Sequence, residues 1–129
     1  MAKITDFEDY RIWKEARTLC QMIFEISDRE PFSLDFSLKR QIRASSGSVM
    51  DNIAEGHERG GNKEFIAFLG IARGSCGEVK SQLYRALDRR YITDEEFDSL
   101  YKKVKAIGAG ITKLIQYLKG SDKRGFKFN

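Results

Sequence analysis

The chain has 129 residues, enough for one hydrophobic core and too few for two domains of ordinary size. Hydrophobic residues make up 41% and charged residues 33%, with one proline, a composition typical of a helix-rich folded protein and not of a disordered one. The net charge of +4 and the pI of about 9.1 permit nucleic-acid binding without requiring it.

No segment has the pattern of a membrane span or a secretion signal. No apolar run approaches the roughly 18 residues that cross a bilayer, and the first residues lack the apolar core of a signal peptide. We therefore expect a cytoplasmic protein with no membrane partner. Cys20 and Cys76 are expected to be reduced thiols in the core, with a disulfide as the alternative.

The first helix is predicted to run from a capping box at Thr5 and Glu8 to about Ser27. A broad apolar face occurs at helical spacing along it. Its members are Tyr10, Ile12, Trp13, Ala16, Leu19, Cys20, Ile23, Phe24 and Ile26. We interpret Trp13 as a core or subunit-interface residue, and the alternative is a platform on which a base stacks.

Pro31 ends the first helix, because its ring and its missing amide prevent continuation. A second helix is predicted over residues 37–55 and a third over residues 63–90. The apolar residues that follow the proline are expected to fold back over an open end of the bundle: Leu34, Phe36 and Leu38.

The second and third helices are predicted to form a hairpin that turns near Arg59 and Gly60. Gly56 suits the left-handed residue just past a helix end, and Asn62 suits an N-cap. Glycine inside a helix costs about 1 kcal/mol relative to alanine. Three glycines spaced four and three residues apart, on one face of a helix, therefore indicate a compensating interaction. We expect close backbone approach to residues 44–48 for the three on the third helix: Gly70, Gly74 and Gly77.

Polar residues of this hairpin predict a network across the seam between its helices. In an antiparallel register Gln41 and Arg43 approach Glu78, while Asn52 and Glu55 approach the start of the third helix. If these groups are buried and paired with one another, removing one is expected to cost about 1–3 kcal/mol.

The third helix carries much of the excess positive charge of the chain. Its cations are Lys63, Arg73, Lys80, Arg85, Arg89 and Arg90. The helix dipole also favours cations at the C-terminal end, which accounts for Arg89 and Arg90 without a ligand. A solvated surface of mixed charge is the alternative interpretation of the whole set.

The fourth helix is predicted to begin at a second capping box, Thr93 with Glu96, and to end at Gly120 and Ser121. Its apolar face comprises Phe97, Leu100, Tyr101, Val104, Ile107, Gly108, Ile111, Leu114, Ile115 and Leu118.

Four helices with short connections predict an all-α protein, an antiparallel up-down-up-down four-helix bundle. Residues 1–120 are expected to form this single domain, and residues 121–129 a basic C-terminal tail. The tail carries Lys123 and Arg124 and is interpreted either as a disordered end or as an arm that orders on a neighbouring subunit or on a phosphate backbone.

No motif predicts catalysis, a metal site or a cofactor. His57 is the one histidine, and with Glu55 and Glu58 it provides too few ligands for a metal. The serines have the character of small packing residues, and the glycines at 60 and 61 suit a turn without the strand and helix of a phosphate-binding loop. We therefore predict that the protein is not an enzyme and needs no cofactor.

Several short motifs together resemble one known family. They are Gln41-Ile-Arg43, Ser48-Val, Asn52-Ile-Ala-Glu-Gly56, and Ala72-Arg-Gly-Ser75 followed by Glu78. They are similar to the signature of bacterial four-helix-bundle proteins encoded in intervening sequences of 23S ribosomal RNA genes. The resemblance covers nearly the whole chain and departs from the family pattern at Ala44, where many members have a second arginine.

The resemblance implies assembly and partners. Members of the family form homopentameric rings. Relatives among the accessory proteins of diversity-generating retroelements bind nucleic acid and a reverse transcriptase through a positive surface, and Arg43 is one residue to test by that analogy. The nucleic-acid-binding residues are expected to be Arg73, Lys80, Arg85, Arg89, Arg90, Lys123 and Arg124. The structural motif is expected to comprise Gln41, Arg43, Asn52, Glu55, Gly56, Gly74, Ser75 and Glu78.

Two functions follow as hypotheses. The leading one is a non-enzymatic, homo-oligomeric bundle that presents a basic surface to RNA, to DNA or to a nucleic-acid enzyme. The alternative is an oligomeric scaffold or helper protein that acts through protein contacts alone. Self-assembly is also indicated by large apolar residues such as Phe32 and Phe36, which exceed what a small bundle easily hides.

Overall fold

In the computed structural model, the backbone is described for residues 4–128 and the side chains for residues 4–121. Over that range the chain forms four α-helices and two short 3-10 helices, with no strand. The all-α prediction is therefore confirmed, and the second and third predicted helices match the observed ones closely. The α-helices are α1 (Arg11–Ser27), α2 (Phe36–Glu58), α3 (Asn62–Asp88) and α4 (Asp94–Phe128).

One hydrophobic core lies between the four α-helices. Contacts join α1 to α2, α2 to α3, α3 to α4 and α4 back to α1, the closed cycle of a four-helix bundle. Trp13 packs against this core and lies edge-on to Phe7, with ring centroids 5.1 Å apart, as its core interpretation predicted. The largest fully buried side chains are Phe32, Leu19, Ile23, Leu38, Ile42, Ile53, Leu69, Leu83, Leu100, Ile107, Ile111 and Val49.

The capping box predicted at Thr5 and Glu8 is wrong, because α1 begins later. Phe7–Asp9 form a 3-10 turn, and Tyr10 is extended, with φ −69° and ψ 129°, so the α-helix starts after it. Thr5 instead attaches the N-terminal segment to α2: its carbonyl oxygen lies 3.0 Å from Nε2 of His57.

The connection between α1 and α2 is closed by Phe32. This side chain is fully buried and stacks on Tyr91, with ring centroids 5.1 Å apart. Leu38 is buried as predicted, but Leu34 and Phe36 are 61% and 64% exposed, so their predicted role over the end of the bundle is wrong. Because Phe32 already fills this end of the core, these two side chains remain in solvent.

The turn between α2 and α3 uses Gly60 and not Gly56. Gly60 has φ +85°, in the left-handed region, whereas Gly56 lies inside α2 and is buried. A Cβ at Gly56 would come within 2.7 Å of Cβ of Phe68, so α3 packs closely against α2 at this point. Asn62 is the first residue of α3 and not its N-cap, and its side-chain amide donates to the carbonyl oxygen of Leu118 at 3.4 Å. The prediction for Gly56 failed because α2 continues to Glu58, and the prediction for Asn62 failed because α3 begins one residue earlier than expected, with Gly61 as its N-cap.

The three glycines of α3 do not serve close packing against α2. A Cβ added to Gly70, Gly74 or Gly77 would meet no atom within 4 Å. The predicted close approach to residues 44–48 is therefore wrong. The spacing correctly placed these glycines on related faces of α3, but it could not say which of them a neighbouring helix would cover.

The capping box at the start of α4 is present as predicted. The amide of Thr93 donates to Oε1 of Glu96 at 2.9 Å, and the amide of Glu96 donates to Oγ1 of Thr93 at 3.1 Å. Arg29 donates two further hydrogen bonds to the same carboxylate, at 2.8 and 3.0 Å. These contacts tie the end of α1 to the start of α4.

The predicted end of α4 at Gly120 and Ser121 is wrong, because the helix continues to Phe128. A helical glycine costs only about 1 kcal/mol, and no proline follows that would stop the helix. The division into a domain at residues 1–120 and a tail at 121–129 stays a prediction.

Replacing Glu96 by glutamine is expected to lower the free energy of unfolding by about 1 kcal/mol at neutral pH, since a cap and a half-exposed ion pair are weakened together. The hydrogen bonds from Arg29 and from the amide of Thr93 lower the pKa of Glu96 from 4.5 to about 2. Because the pKa is lower in the folded chain, the stabilisation is present above pH 4.5 and is lost as the pH falls towards 2.

Urea unfolding of Glu96→Gln and of the unsubstituted protein across this pH range measures the effect. Glu95→Gln is the matched control, because Glu95 is exposed and has no hydrogen-bond partner among the described side chains. A stability difference for Glu96→Gln that does not shrink at acid pH would contradict the assignment.

Candidate nucleic-acid interface

Two predicted nucleic-acid-binding residues meet in a groove between α3 and α4. Arg73 and Lys80 line it from α3, and Lys105 lines it from α4. The groove encloses about 240 Å³, and no acidic residue is among those that line it in the described part of the chain. We name it the cationic groove. Its other lining residues are Cys76, Gly77, Val104, Gly108, Ala109 and Thr112.

Helical spacing explains why these groups converge. Arg73, Gly77 and Lys80 follow one another at four and three residues, which keeps them on one face of α3. Lys105 and Thr112 lie two turns apart on α4 and share a face in the same way. Gly77 leaves the helix backbone bare between the two cations of α3, so a ligand can approach it closely.

The cations of the groove are not paired with carboxylates in the part of the chain whose side chains are described. Within residues 4–121, none of Arg73, Lys80 and Lys105 forms an ion pair. Arg73 makes one long hydrogen bond, from Nη1 to Oγ1 of Thr112 at 3.4 Å, and Nζ of Lys80 lies 5.8 Å from the ring centroid of Tyr101. Unpaired like charges in a cleft attract anions, and guanidinium and ammonium groups suit a phosphate.

Arg85 and Arg89 lie on a different side of α3, towards α2. Nη1 of Arg85 donates to Oε1 of Gln41 at 3.0 Å, and Nη1 of Arg89 forms an ion pair with Oδ2 of Asp35 at 2.7 Å. The hydroxyl of Tyr91 donates to the same oxygen at 2.9 Å. Hydrogen bonds from the α2 backbone, from Tyr91 and from Arg89 hold the pKa of Asp35 below its ordinary value. Arg89 is therefore already neutralised by a carboxylate.

Arg90 is positioned by the turn after α3. Its φ is +60°, a left-handed conformation that is common just past a helix end. The surface depression that it lines contains a second cation, Arg29, and four acidic residues: Asp88, Asp94, Glu95 and Glu96. These carboxylates oppose the approach of a phosphate. The side chains of Lys123 and Arg124, also predicted to bind nucleic acid, lie outside the described residues.

The polar network of the structural motif is smaller than predicted and is centred on Ser48. Nδ2 of Asn52 donates to the carbonyl oxygen and to Oγ of Ser48, at 2.8 and 2.9 Å. Oγ of Ser75 crosses from α3 and donates to the same hydroxyl at 2.9 Å. Gln41 also crosses the seam, but its partner is Arg85.

Three residues of the motif lie outside this network. Arg43 turns to α1, where its guanidinium lies 4.2 Å from the ring centroid of Phe24. Glu55 pairs with Arg59 of its own helix at 2.8 Å, and Glu78 is exposed. Their prediction as mutually paired groups in the seam is therefore wrong. A helical register shows which residues are level with one another, but not towards which neighbour each side chain turns.

Sequence reasoning missed Lys105 as a member of the site. The basic residues of α3 form a visible cluster in the sequence, whereas Lys105 is one of several lysines on α4. A signal does exist, because Tyr101, Lys105 and Thr112 recur at helical spacing. It becomes informative only when α4 is known to pack beside α3.

The described residues provide no other evident chemistry. They include no group of three or more side chains that could hold a metal ion, and none of their helices is long and apolar enough to cross a membrane. Cys20 and Cys76 are free thiols; Cys76 is buried in the core as predicted, whereas Cys20 is only partly buried. Burial raises the pKa of both, that of Cys76 to about 11, so neither is an activated nucleophile at neutral pH.

Comparison with known proteins adds a family and a fold. The family described as 23S rRNA-intervening sequence protein has a model that matches residues 8–113. One similar solved structure is a protein of unknown function from the S23 ribosomal protein family of Bacteroides thetaiotaomicron. It has 22% sequence identity and a TM-score of 0.74, and the match covers 81% of this chain and 97% of that one. At this identity the likeness shows the fold alone. No curated protein matches the chain.

Proposed function

The chain belongs to the 23S rRNA-intervening sequence protein family, and we propose that it is a non-enzymatic protein that binds RNA or other nucleic acid. In this proposal the cationic groove between α3 and α4 receives the phosphate backbone. Arg73, Lys80 and Lys105 supply the positive charge.

The observation that carries the proposal is a cluster of three cations, without an ion-pair partner among residues 4–121, in a cleft with no acidic lining. Surface lysines and arginines of an ordinary bundle usually lie among carboxylates, as Arg29, Arg59 and Arg89 do here. A cleft that keeps its cations free has a net positive potential, and such a potential favours a polyanion.

The architecture in this proposal is an up-down-up-down bundle in which neighbouring helices are antiparallel. The short connections at residues 59–61 and 89–93 support it, because they leave little chain for a crossover. We further propose that the bundle forms a homo-oligomer, a pentamer by the family resemblance. Large apolar side chains that a single bundle leaves about half exposed or more support this assembly: Phe24, Leu34, Phe36 and Ile71.

Replacing Lys80 or Lys105 by glutamine is expected to weaken binding to structured RNA or duplex DNA about threefold to tenfold. Each change removes one phosphate contact, so it should also reduce the slope of log affinity against log salt by about 1. Fluorescence anisotropy across a salt series measures both quantities, with the mass in solution recorded on the same samples.

Lys14→Gln is the control for this experiment, because it removes the same charge from an exposed position on α1 that does not line the groove. It is expected to leave affinity and salt slope close to those of the unsubstituted protein. Equal losses for Lys14→Gln and Lys80→Gln would assign binding to net charge and not to the groove. No binding at low salt by an intact oligomer would overturn the proposed function.

A second candidate function is an oligomeric scaffold or helper protein with a protein partner. The observation that favours it is the open surface of α3, where Gly70 and Gly74 lie beside the half-exposed Ile71. Small residues next to an apolar one leave room for a second backbone. Absence of nucleic-acid binding by an intact oligomer would support this second function over the first.

A further inference from the structure

An exposed tyrosine extends the cationic groove at one end. Tyr84 is 50% exposed, although its ring lies 4.8 Å from that of Phe97 and 5.8 Å from that of Tyr101, measured between centroids. These two contacts hold the ring in place while half of the residue stays open to solvent. An aromatic ring that is fixed and exposed is a suitable stacking surface.

Tyr84 lies on the same face of α3 as the cations of the groove. It follows Lys80 by one turn, and it follows Arg73 by three turns, so the three side chains form one line along the helix. Tyr101 continues this line on α4, because Nζ of Lys80 lies 5.8 Å from its ring centroid. Positive charge and aromatic surface thus adjoin along the α3–α4 side of the bundle.

We propose that the groove binds single-stranded nucleic acid, with phosphates on the cations and one base stacked on Tyr84. This inference rests on the proposed function and specifies its ligand. Cations that follow the backbone, beside an aromatic ring that accepts a base, are the combination by which proteins bind single strands.

The geometry favours a single strand over a duplex for two reasons. A base can stack on a protein ring only if it leaves its neighbours, and the bases of an intact duplex are paired and stacked. In addition, the groove has a volume of only about 240 Å³, so a double helix can contact its rim but cannot enter it. A duplex would therefore gain the charge contacts of the rim without the contact to Tyr84.

The test measures binding of labelled oligo(U), oligo(dT) and a duplex RNA to Tyr84→Leu, which keeps an apolar side chain against Phe97 but lacks the flat ring. We expect it to weaken binding to the single strands about 5- to 100-fold and to leave duplex binding within about twofold. Tyr84→Phe keeps the ring and is expected to retain full affinity.

Tyr117→Leu is the matched control, because Tyr117 is 49% exposed on α4 and does not line the groove. Thermal unfolding of each variant checks that the bundle is intact. If Tyr84→Leu binds single strands as well as the unsubstituted protein while Lys80→Gln does not, the stacking inference fails and the proposed function stands. If no nucleic acid binds even at low salt, both fail. Comparison of oligo(U) with oligo(dT) distinguishes RNA from DNA.

Discussion

Replacing Phe32 by alanine is expected to lower the free energy of unfolding by about 3–5 kcal/mol, the largest effect predicted for a single substitution in this protein. Phe32 is fully buried and stacks on Tyr91 at 5.1 Å, in the connection between α1 and α2. Its removal leaves a cavity at one end of the core, where the surrounding helix ends cannot easily collapse. Urea unfolding followed by circular dichroism measures the loss.

Phe36→Ala is the matched control, because the same side chain is removed four residues later from a position that is 64% exposed. It is expected to change the stability of the bundle by less than about 0.5 kcal/mol. Measurements at several protein concentrations separate the bundle from the assembly, since a loss at a subunit interface depends on concentration. Equal losses for the two variants at every concentration would contradict the buried position of Phe32.

Replacing Gly56 by alanine is expected to destabilise the protein by roughly 1–3 kcal/mol, although alanine is the better helix former. A Cβ at this position would lie 2.7 Å from Cβ of Phe68 and 3.0 Å from Cδ1 of Phe65. The Cβ of Phe68 is attached to the backbone of α3 and cannot rotate away, so the two helices must separate. The variant thus tests the close packing of α2 on α3.

Gly74→Ala is expected to have the opposite effect on the stability of the same bundle. A Cβ there would meet no atom within 4 Å, so the substitution should raise the stability of the bundle by about 1 kcal/mol through helix propensity alone. The midpoint of urea unfolding measures both variants. If Gly56→Ala stabilises the protein, the close packing of α2 on α3 at this residue is contradicted. If Gly74→Ala destabilises it, a second subunit covers that surface of α3.

Much of the fold followed from local patterns in the sequence. The apolar residues of the four helices recur at helical spacing, which gives each helix one apolar face. Each such face can be buried only against the apolar faces of other helices, so a four-helix bundle was predictable. The capping box at Thr93 was predictable for the same local reason, because its partners lie within one turn. The similar pair at Thr5 failed because the chain there forms a 3-10 turn that packs on α2 through His57.

The candidate site depended on information that local patterns do not contain. The sequence placed Arg73 and Lys80 on one face of a helix, but equally basic positions at Arg89 and Arg90 proved to lie beside carboxylates from other elements. Whether a cation is free or paired depends on groups that are distant along the chain. The same reason explains why Lys105 was missed.

The sequence by itself determined the number of α-helices, their apolar faces and the family to which the chain belongs. Those features depend on spacing within a few turns and on motifs that can be read residue by residue. Only the tertiary structure decided which glycine packs against a neighbouring helix, which phenylalanine fills the core and which cations stay unpaired. Each of these outcomes depends on how the helices rotate and pack against one another, because packing joins residues that the chain separates by tens of positions.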